Sequence, residues 1–131
     1  MTPDTRISSV MSTDFLRLTP EMPIRDAVRK LLNDGTPAAP VVDDTGTLVG
    51  ILTQKDCFRS ALNASYYQQW SGTVAQYLTE AVHSLPADTD IVTAAEAFID
   101  QPFRAYPVLQ DGRLVGMLNR ADLLETFLVY G

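Results

Sequence analysis

The chain contains one segment twice, and this repetition constrains its fold more than any other feature. The sequence GILTQKD at residues 50–56 returns as GMLNRAD at residues 116–122. The similarity extends upstream, because residues 19–56 align with residues 86–122 with a single deletion in the turn before the glycine. Identical residues fall at apolar and turn positions alike, among them Leu18 with Leu85, Ile24 with Ile91, Pro40 with Pro107, Gly50 with Gly116 and Asp56 with Asp122. Each copy is too small to be stable alone, so we expect two copies of one supersecondary unit.

The pattern within each repeat predicts β-α-β-β-α and therefore an α+β fold. One apolar stripe at helical spacing occurs in both copies: Ile24, Ala27, Val28, Leu31 and Leu32, then Ile91, Ala94, Ala95, Phe98 and Ile99. Short β-branched runs around DDTG and QDG predict a hairpin in each copy. A short strand, FLRL or VHSL, should precede the first helix, and a second helix should open at Thr53 or Asn119. The pair Asp34-Gly35 predicts the end of the first helix in the first copy.

The repeat boundaries predict residues 1–65 as the first repeat, 66–73 as a connector and 74–131 as the second repeat, together forming one compact module. The segment NASYYQQWSGT at residues 63–73 should extend the preceding helix to about Trp70 and then turn. Its aromatic residues Tyr66, Tyr67 and Trp70 fit either a packed connector or a partner-binding patch.

Composition argues against several functional classes. The net charge of −6 is concentrated in residues 71–131, where three arginines face eight acidic residues, and such a surface disfavours nucleic acid. A single histidine, His83, and a single cysteine, Cys57, give no catalytic pairing and no metal-ligand spacing, so we expect neither an enzyme nor a metal site. The unpaired cysteine and the short apolar runs predict a soluble, cytoplasmic protein with no membrane segment.

The tandem pattern, the segments PVVDDTGTLVGILTQKD and PVLQDGRLVGMLNRAD, and VM near the start resemble a pair of cystathionine-β-synthase-type (CBS) domains, a Bateman module, over about residues 7–131. The resemblance implies two repeats packed about a pseudo-twofold axis, in a stand-alone pair that often forms homodimers. It also implies a regulatory function. An adenosine-containing ligand such as AMP, ADP, ATP or S-adenosylmethionine would bind between the repeats and signal to a separate protein, with no required cofactor. The alternative is a structural dimerisation or interaction module whose clefts are empty.

The family motif is a glycine, apolar residues, a hydroxyl residue and, three residues later, an aspartate. Gly50, Thr53 and Asp56 match it fully, whereas Asn119 replaces the hydroxyl residue before Asp122. The same residues are typical of a helix cap and capping box, and capping is compatible with a carboxylate that accepts ribose hydroxyls.

The resemblance assigns the other wall of each site to the opposite repeat. For Thr53, Lys55 and Asp56 that wall would contain Val82, His83, Phe103, Arg104 and Ala105. For Asn119 and Asp122, a weaker second site, it would contain Phe15, Leu16, Thr36 and Pro37. Phe103 is suited to stacking on adenine or to the core, and Arg104 to a phosphate or to Asp100.

Overall fold

The computed structural model describes residues 5–80 and 83–130. The chain divides into two compact units. The first unit is Leu16–Val82, and the second unit combines Met1–Phe15 with His83–Gly131. Each unit contains two α-helices and an antiparallel hairpin, which confirms the predicted α+β class. No helix in the described ranges is long and apolar enough to cross a bilayer.

The first unit contains helix α1 (Ile24–Asp34), strands β1 (Ala38–Val42) and β2 (Leu48–Thr53), and helix α2 (Cys57–Tyr67). Helix α1 ends because Gly35 adopts a left-handed conformation with φ of 69°, as the Asp-Gly pair predicts. Strands β1 and β2 are antiparallel, which confirms the hairpin. Its turn is held by Asp43, whose carboxylate accepts bonds from Thr45 and Thr47; these bonds, led by the one from the Thr45 hydroxyl, lower the pKa of Asp43.

The second unit contains strand β3 (Leu85–Pro86), helix α3 (Ile91–Asp100), strands β4 (Ala105–Gln110) and β5 (Arg113–Asn119), and helix α4 (Arg120–Tyr130). The sheet order is β3-β4-β5, with β3 parallel to β4 and β4 antiparallel to β5. Helix α3 is capped by Asp90, whose carboxylate accepts a hydrogen bond from the Val92 amide at 3.2 Å. The antiparallel pairing of β4 with β5 confirms the second predicted hairpin.

Each unit has its own apolar core, built largely by the helical stripe and the middle strands. The first core includes Ile24, Ala27, Leu31, Val41 and Leu52, and the second includes Ile7, Ile91, Ala94, Val108 and Leu118. The last residue predicted for each stripe is not in the core: Leu32 is 63% exposed and Ile99 is 82% exposed. A residue eight positions along a helix is rotated by roughly 80° from the first, which places it at the edge of the buried face.

A short segment pairs with the second hairpin strand in each unit. In the first unit a 3-10 turn at Val74–Gln76 leads to Thr79, which pairs with Ile51 of β2. In the second unit a 3-10 turn at Ile7–Ser9 leads to Ser12, which pairs with Met117 of β5. The two segments therefore form a structural repeat of their own. The predicted boundaries 1–65, 66–73 and 74–131 place residues 7–13 in the first repeat and residues 74–80 in the second. The contacts instead group residues 7–13 with the second unit and residues 74–80 with the first.

The close approach of the paired segment explains why both motifs begin with glycine. A Cβ added to Gly50 would lie 2.7 Å from the Thr79 carbonyl oxygen, and one added to Gly116 would lie 2.5 Å from the Met11 sulfur. Contacts this short require one of the atoms to move, so the absence of a side chain is what admits the segment.

Three local predictions were wrong. The FLRL strand is reduced to a single bridge between Leu18 and Val41, and in the described part of VHSL only Leu85 lies in a strand, the two-residue β3. Helix α2 begins at Cys57 instead of Thr53, because residues 54–56 form a turn. The same helix ends at Tyr67, well before Trp70, because Gln68 adopts a left-handed conformation with φ of 55°.

Candidate functional site

The turn between β2 and α2 is closed by reciprocal hydrogen bonds between Thr53 and Asp56. The Thr53 amide donates to Oδ2 of Asp56 at 3.0 Å, and the Asp56 amide donates to the Thr53 hydroxyl at 3.0 Å. This is the bonding of a capping box, although the turn precedes the first helical residue. The predicted cap interaction is present, and it fixes the carboxylate of Asp56 at the mouth of α2.

The two oxygens of the Asp56 carboxylate differ in how many further hydrogen bonds they can accept. Besides the Thr53 amide, Oδ2 accepts a long bond of 3.5 Å from the hydroxyl of Thr79. Oδ1 has no hydrogen-bond partner among residues 5–80 and 83–130, and the Asp56 side chain is half-buried. A carboxylate oxygen in this condition can accept a hydrogen bond from a ligand hydroxyl. The sequence reasoning missed Thr79, because only the fold brings it to Asp56.

The matching turn of the second unit is organised differently. The Asn119 side-chain amide donates to Oδ2 of Asp122 at 3.2 Å, and both residues stand at the junction of β5 and α4. An amide replaces the hydroxyl here, and within residues 5–80 and 83–130 the exposed Asp122 carboxylate accepts one side-chain hydrogen bond. The two copies of the motif therefore differ in geometry as well as in sequence.

Aromatic rings form a continuous row in the second unit. His83 and Phe103 have ring centroids 5.3 Å apart, and Phe103 meets Tyr106 edge-on at 5.6 Å. Tyr106 also contacts Phe98 at 4.8 Å and donates its hydroxyl proton to the Ala97 carbonyl. Burial, and to a lesser degree the charge of Asp100, raises the pKa of Tyr106. Phe103 is half-buried, so it joins the row while part of its ring faces solvent.

The segments that precede the middle strands are tied to the motif turns by backbone bonds. In the first unit the Gln54 amide donates to the Pro37 carbonyl at 2.9 Å, and its side chain donates to the Thr36 carbonyl at 2.9 Å. In the second unit the Arg120 amide donates to the carbonyl of Arg104 at 2.9 Å, and the Arg104 side chain is exposed.

The remaining predicted residues have these positions. Lys55 is exposed in the turn before α2, Ala105 is buried at the start of β4, and Phe15 is half-buried. Leu16 packs against the first core. Val82 lies outside the described residues. The structure thus assigns Thr53, Lys55 and Asp56 to the first unit and His83, Phe103 and Arg104 to the second.

Groups suited to catalysis or metal binding are scarce in the described part of the chain. No cluster of three or more histidine, cysteine, aspartate or glutamate residues there could hold a metal ion. Cys57 is a buried free thiol, and burial followed by the charge of Asp56 raises its pKa to about 11. A thiol with this pKa is protonated near neutral pH and is a poor nucleophile.

Known proteins match the chain along nearly its whole length. A family model for the CBS domain matches twice, at residues 7–63 and 74–129. A 17.7 kDa protein of Acidianus ambivalens is 25% identical over 125 residues, which cover 95% of this chain and 74% of that protein. Protein MJ1225 of Methanocaldococcus jannaschii is 24% identical over 91% of this chain, but over only 41% of its own length.

Solved structures share the fold. The CBS-pair protein CBSX2 of Arabidopsis thaliana has a TM-score of 0.84 at 23% identity, covering 98% of this chain and 97% of its own. A structure of CBSX2 in complex with AMP has a TM-score of 0.84 at 24% identity, with coverage of 95% and 97%. The CBS domain pair of protein MJ0100, in complex with 5-methylthioadenosine and S-adenosyl-L-methionine, has a TM-score of 0.81 at 23% identity, with coverage of 98% and 100%.

Proposed function

The chain belongs to the CBS domain family, and from this premise we propose that it is a regulatory module that binds an adenosine-containing ligand and signals to a separate protein. The candidate ligands are AMP, ADP, ATP and S-adenosylmethionine. Two proteins of the same fold support this class, because CBSX2 has been solved with AMP and MJ0100 with S-adenosyl-L-methionine and 5-methylthioadenosine. The ligand would act as a regulator, so the proposal includes no catalytic step and no required cofactor.

The observation that carries the proposal is the state of the Asp56 carboxylate. Its Oδ2 is anchored by the Thr53 amide, while Oδ1 has no partner among the described residues. An ionised carboxylate only accepts hydrogen bonds, and a ribose offers two neighbouring hydroxyl donors. The site therefore suits the sugar of a nucleoside better than its phosphate, which would be repelled by Asp56.

The proposed first site adds residues that suit the base and the phosphate. His83 and Phe103 present aromatic rings for adenine, beside Ala105, and Arg104 and Lys55 are exposed cations for a phosphate. Val82 belongs to the same proposed set. The proposed second site has Asn119 and Asp122 to hold the ribose and Phe15, Leu16, Thr36 and Pro37 as its wall. This set contains one aromatic residue and no arginine, so we assign the second site the weaker affinity.

The regulatory mechanism requires that the ligand bind one arrangement of the module more tightly than another. A ligand that binds both arrangements equally shifts neither, however tight the complex. We therefore propose that ligand binding changes the surface presented to a partner protein. A cytoplasmic location is part of this proposal, because the single cysteine is a free thiol, which suits a reducing compartment.

Thermal unfolding with a panel of AMP, ADP, ATP and S-adenosylmethionine tests the proposal. A ligand at 100 times its dissociation constant should stabilise the protein by about 2.7 kcal/mol. For a chain of this size we expect a rise in Tm of roughly 10 °C. Asp56→Asn should abolish most of the rise relative to its own unliganded Tm, whereas Asp122→Asn is the matched control and should retain it. No rise with any of the four ligands, or an equal rise in Asp56→Asn, would contradict the proposal.

A second candidate function is structural, namely self-association with empty clefts. Helix α2 exposes apolar side chains four residues apart: Phe58 is 68% exposed, Leu62 is 69% exposed and Tyr66 is 85% exposed. In the repeat alignment Phe58 and Leu62 correspond to Leu124 and Leu128 of α4, which are 70% and 83% exposed. Apolar helix faces of this kind mark interaction surfaces. We propose that they pair two copies of the chain in a homodimer.

Two measurements separate these functions. Sedimentation of the wild-type protein and of Leu62→Glu reports self-association, and the variant should be monomeric at concentrations where the wild type is dimeric. Mass spectrometry of the purified protein, native against denatured, reports a retained small molecule. A dimer without any retained or added adenosine ligand favours the structural function, while a ligand-dependent Tm favours the regulatory one. An unchanged sedimentation coefficient in Leu62→Glu would exclude this face from the dimer.

A further inference from the structure

We propose that Thr79 is a positioning residue that directs the free oxygen of Asp56 toward a hydroxyl-bearing ligand. The inference rests on the proposed function, since it concerns how the same carboxylate selects its ligand. The Thr79 hydroxyl donates to Oδ2 of Asp56 at 3.5 Å, across 23 positions of sequence. Thr79 acts through Asp56 and is not itself part of the set proposed to contact the ligand.

The backbone of Thr79 is fixed by its neighbours. Its amide donates to the Ile51 carbonyl at 2.9 Å and its carbonyl accepts from the Ile51 amide at 3.1 Å. Gly50 has no side chain to push this pairing away, as a Cβ there would lie 2.7 Å from the Thr79 carbonyl oxygen. The hydroxyl is therefore presented from a rigid bridge instead of a loose loop end.

With Thr79 in place, Oδ2 of Asp56 is fully used by protein donors. A carboxylate oxygen has two lone pairs, and here one accepts from the Thr53 amide and the other from the Thr79 hydroxyl. Only Oδ1 is left to receive a donor from outside. The two anchored bonds also fix the rotation of the carboxylate, so the direction in which Oδ1 can accept is set before a ligand arrives.

The second unit lacks this arrangement at the equivalent position. Ser12 pairs with Met117 as Thr79 pairs with Ile51, but its hydroxyl donates to the Asp14 carbonyl at 3.0 Å. Among the described residues, the Asp122 carboxylate accepts a side-chain hydrogen bond from Asn119 and none from Ser12. Ser12 is therefore a natural control, because it has a hydroxyl at the same place in the fold without the contact to the motif aspartate.

The experiment compares the affinity for AMP with the affinity for 2′,3′-dideoxy-AMP, which lacks the hydroxyls that Asp56 would receive. The bond at 3.5 Å is longer than the range of about 2.5–3.0 Å for strong O–H···O bonds, so its loss should have a modest effect. We expect Thr79→Val to weaken AMP binding by about fivefold, the equivalent of roughly 1 kcal/mol. The affinity for the dideoxy compound should not change. Thr79→Ser should restore AMP binding, and Ser12→Ala should leave both affinities unchanged.

Equal losses for AMP and the dideoxy compound would overturn the proposal, because they would show that Thr79 only supports the structure. An unchanged AMP affinity in Thr79→Val would overturn it as well. If the wild-type protein binds neither compound, the proposed function fails, and urea unfolding of the unliganded protein then decides the contact itself. The destabilisation by Thr79→Val and Asp56→Asn together should be smaller than the sum of the two single effects. Additive effects would mean that the two side chains are not coupled.

Discussion

Replacing Gly50 by alanine should destabilise the protein far more than replacing Gly116, although the two glycines occupy the same position of the repeat. At Gly50 the new Cβ would lie 2.7 Å from the Thr79 carbonyl oxygen and 2.7 Å from Cδ1 of Leu78. At Gly116 it would lie 2.5 Å from the sulfur and 2.8 Å from Cγ of the flexible Met11 side chain, and 3.1 Å from the Ser12 carbonyl oxygen. Both sites therefore face a backbone oxygen, but the contact is below 3.0 Å only at Gly50, where the backbone itself has to move.

The magnitude follows from how far that backbone must move. Ordinary contact begins near 3.4 Å, so the Thr79 oxygen has to retreat by 3.4 − 2.7 = 0.7 Å. The bond it accepts from the Ile51 amide is already 3.1 Å long, so this retreat breaks it and weakens the reverse bond. Overpacking costs about 1–3 kcal/mol and each lost backbone bond about 1 kcal/mol, offset by about 0.4–1 kcal/mol from the stiffer unfolded chain. With one bond lost, these terms lower the free energy of unfolding of Gly50→Ala by about 1–4 kcal/mol, and we expect a loss of about 1 kcal/mol or less for Gly116→Ala.

Urea denaturation of both variants and the wild type measures these differences as shifts of the midpoint at constant slope. Gly46→Ala is a useful third variant, because Gly46 has a φ of 81° in open space and reports the conformational cost of alanine without a clash. A loss in Gly116→Ala equal to or larger than that in Gly50→Ala would refute the distinction between rigid and flexible obstacles.

Three further predictions use single side chains. Ser60 is 2% exposed and its hydroxyl has no hydrogen-bond partner in the described structure. Ser60→Ala should therefore keep the free energy of unfolding or raise it by up to about 1 kcal/mol. The control Thr126→Val removes a hydroxyl that is bonded to the helix backbone at 3.0 Å, so it should lower the free energy of unfolding. Because burial raises the pKa of Cys57 from 9.0 to about 11, the unfolded chain loses this proton first, and urea midpoints of the wild type should fall between pH 9 and 11 more than those of Cys57→Ala. Tyr106→Phe removes a 2.9 Å bond to the Ala97 carbonyl and should cost about 1 kcal/mol by the same measurement, and no change in midpoint would show that this bond is neutral.

Elements whose signals are local could be predicted from the sequence. The stripe that begins at Ile24 and Ile91, the Asp-Gly helix end and the two hairpins depend on residues within one turn or one strand of each other, and all are present. The edges of these elements were less predictable. Helix α2 was expected to start at Thr53, but the reciprocal bonds of Thr53 and Asp56 close a turn before the helix, and the same sequence pattern describes both outcomes.

The candidate site could be predicted only in part, because two of its features depend on long-range packing. The motif identifies Thr53 and Asp56, but no local pattern connects Asp56 with Thr79 or His83 with Phe103. The sequence does contain a weak signal for the two segments that pair with β2 and β5. ISSVMST at residues 7–13 and VAQYLTE at residues 74–80 share apolar residues at the first, fourth and fifth positions and a hydroxyl residue at the sixth. The two segments share few identical residues, which hides this similarity, and no local pattern indicates the strand with which each segment pairs.

The difference between the two copies of the motif follows from what surrounds them more than from the motif itself. Asn119 has a longer side chain than Thr53, and its side-chain amide donates a hydrogen bond directly to the Asp122 carboxylate. At Asp56 the corresponding bond comes from backbone, and the additional donor comes from a segment that is fixed to β2. A carboxylate held by a backbone amide and by Thr79 has one oxygen kept in a defined direction, whereas the exposed Asp122 carboxylate is held by the Asn119 amide and is less constrained. Pre-organisation of the acceptor, which the motif alone does not encode, is therefore the physical reason to expect the first site to bind more tightly than the second.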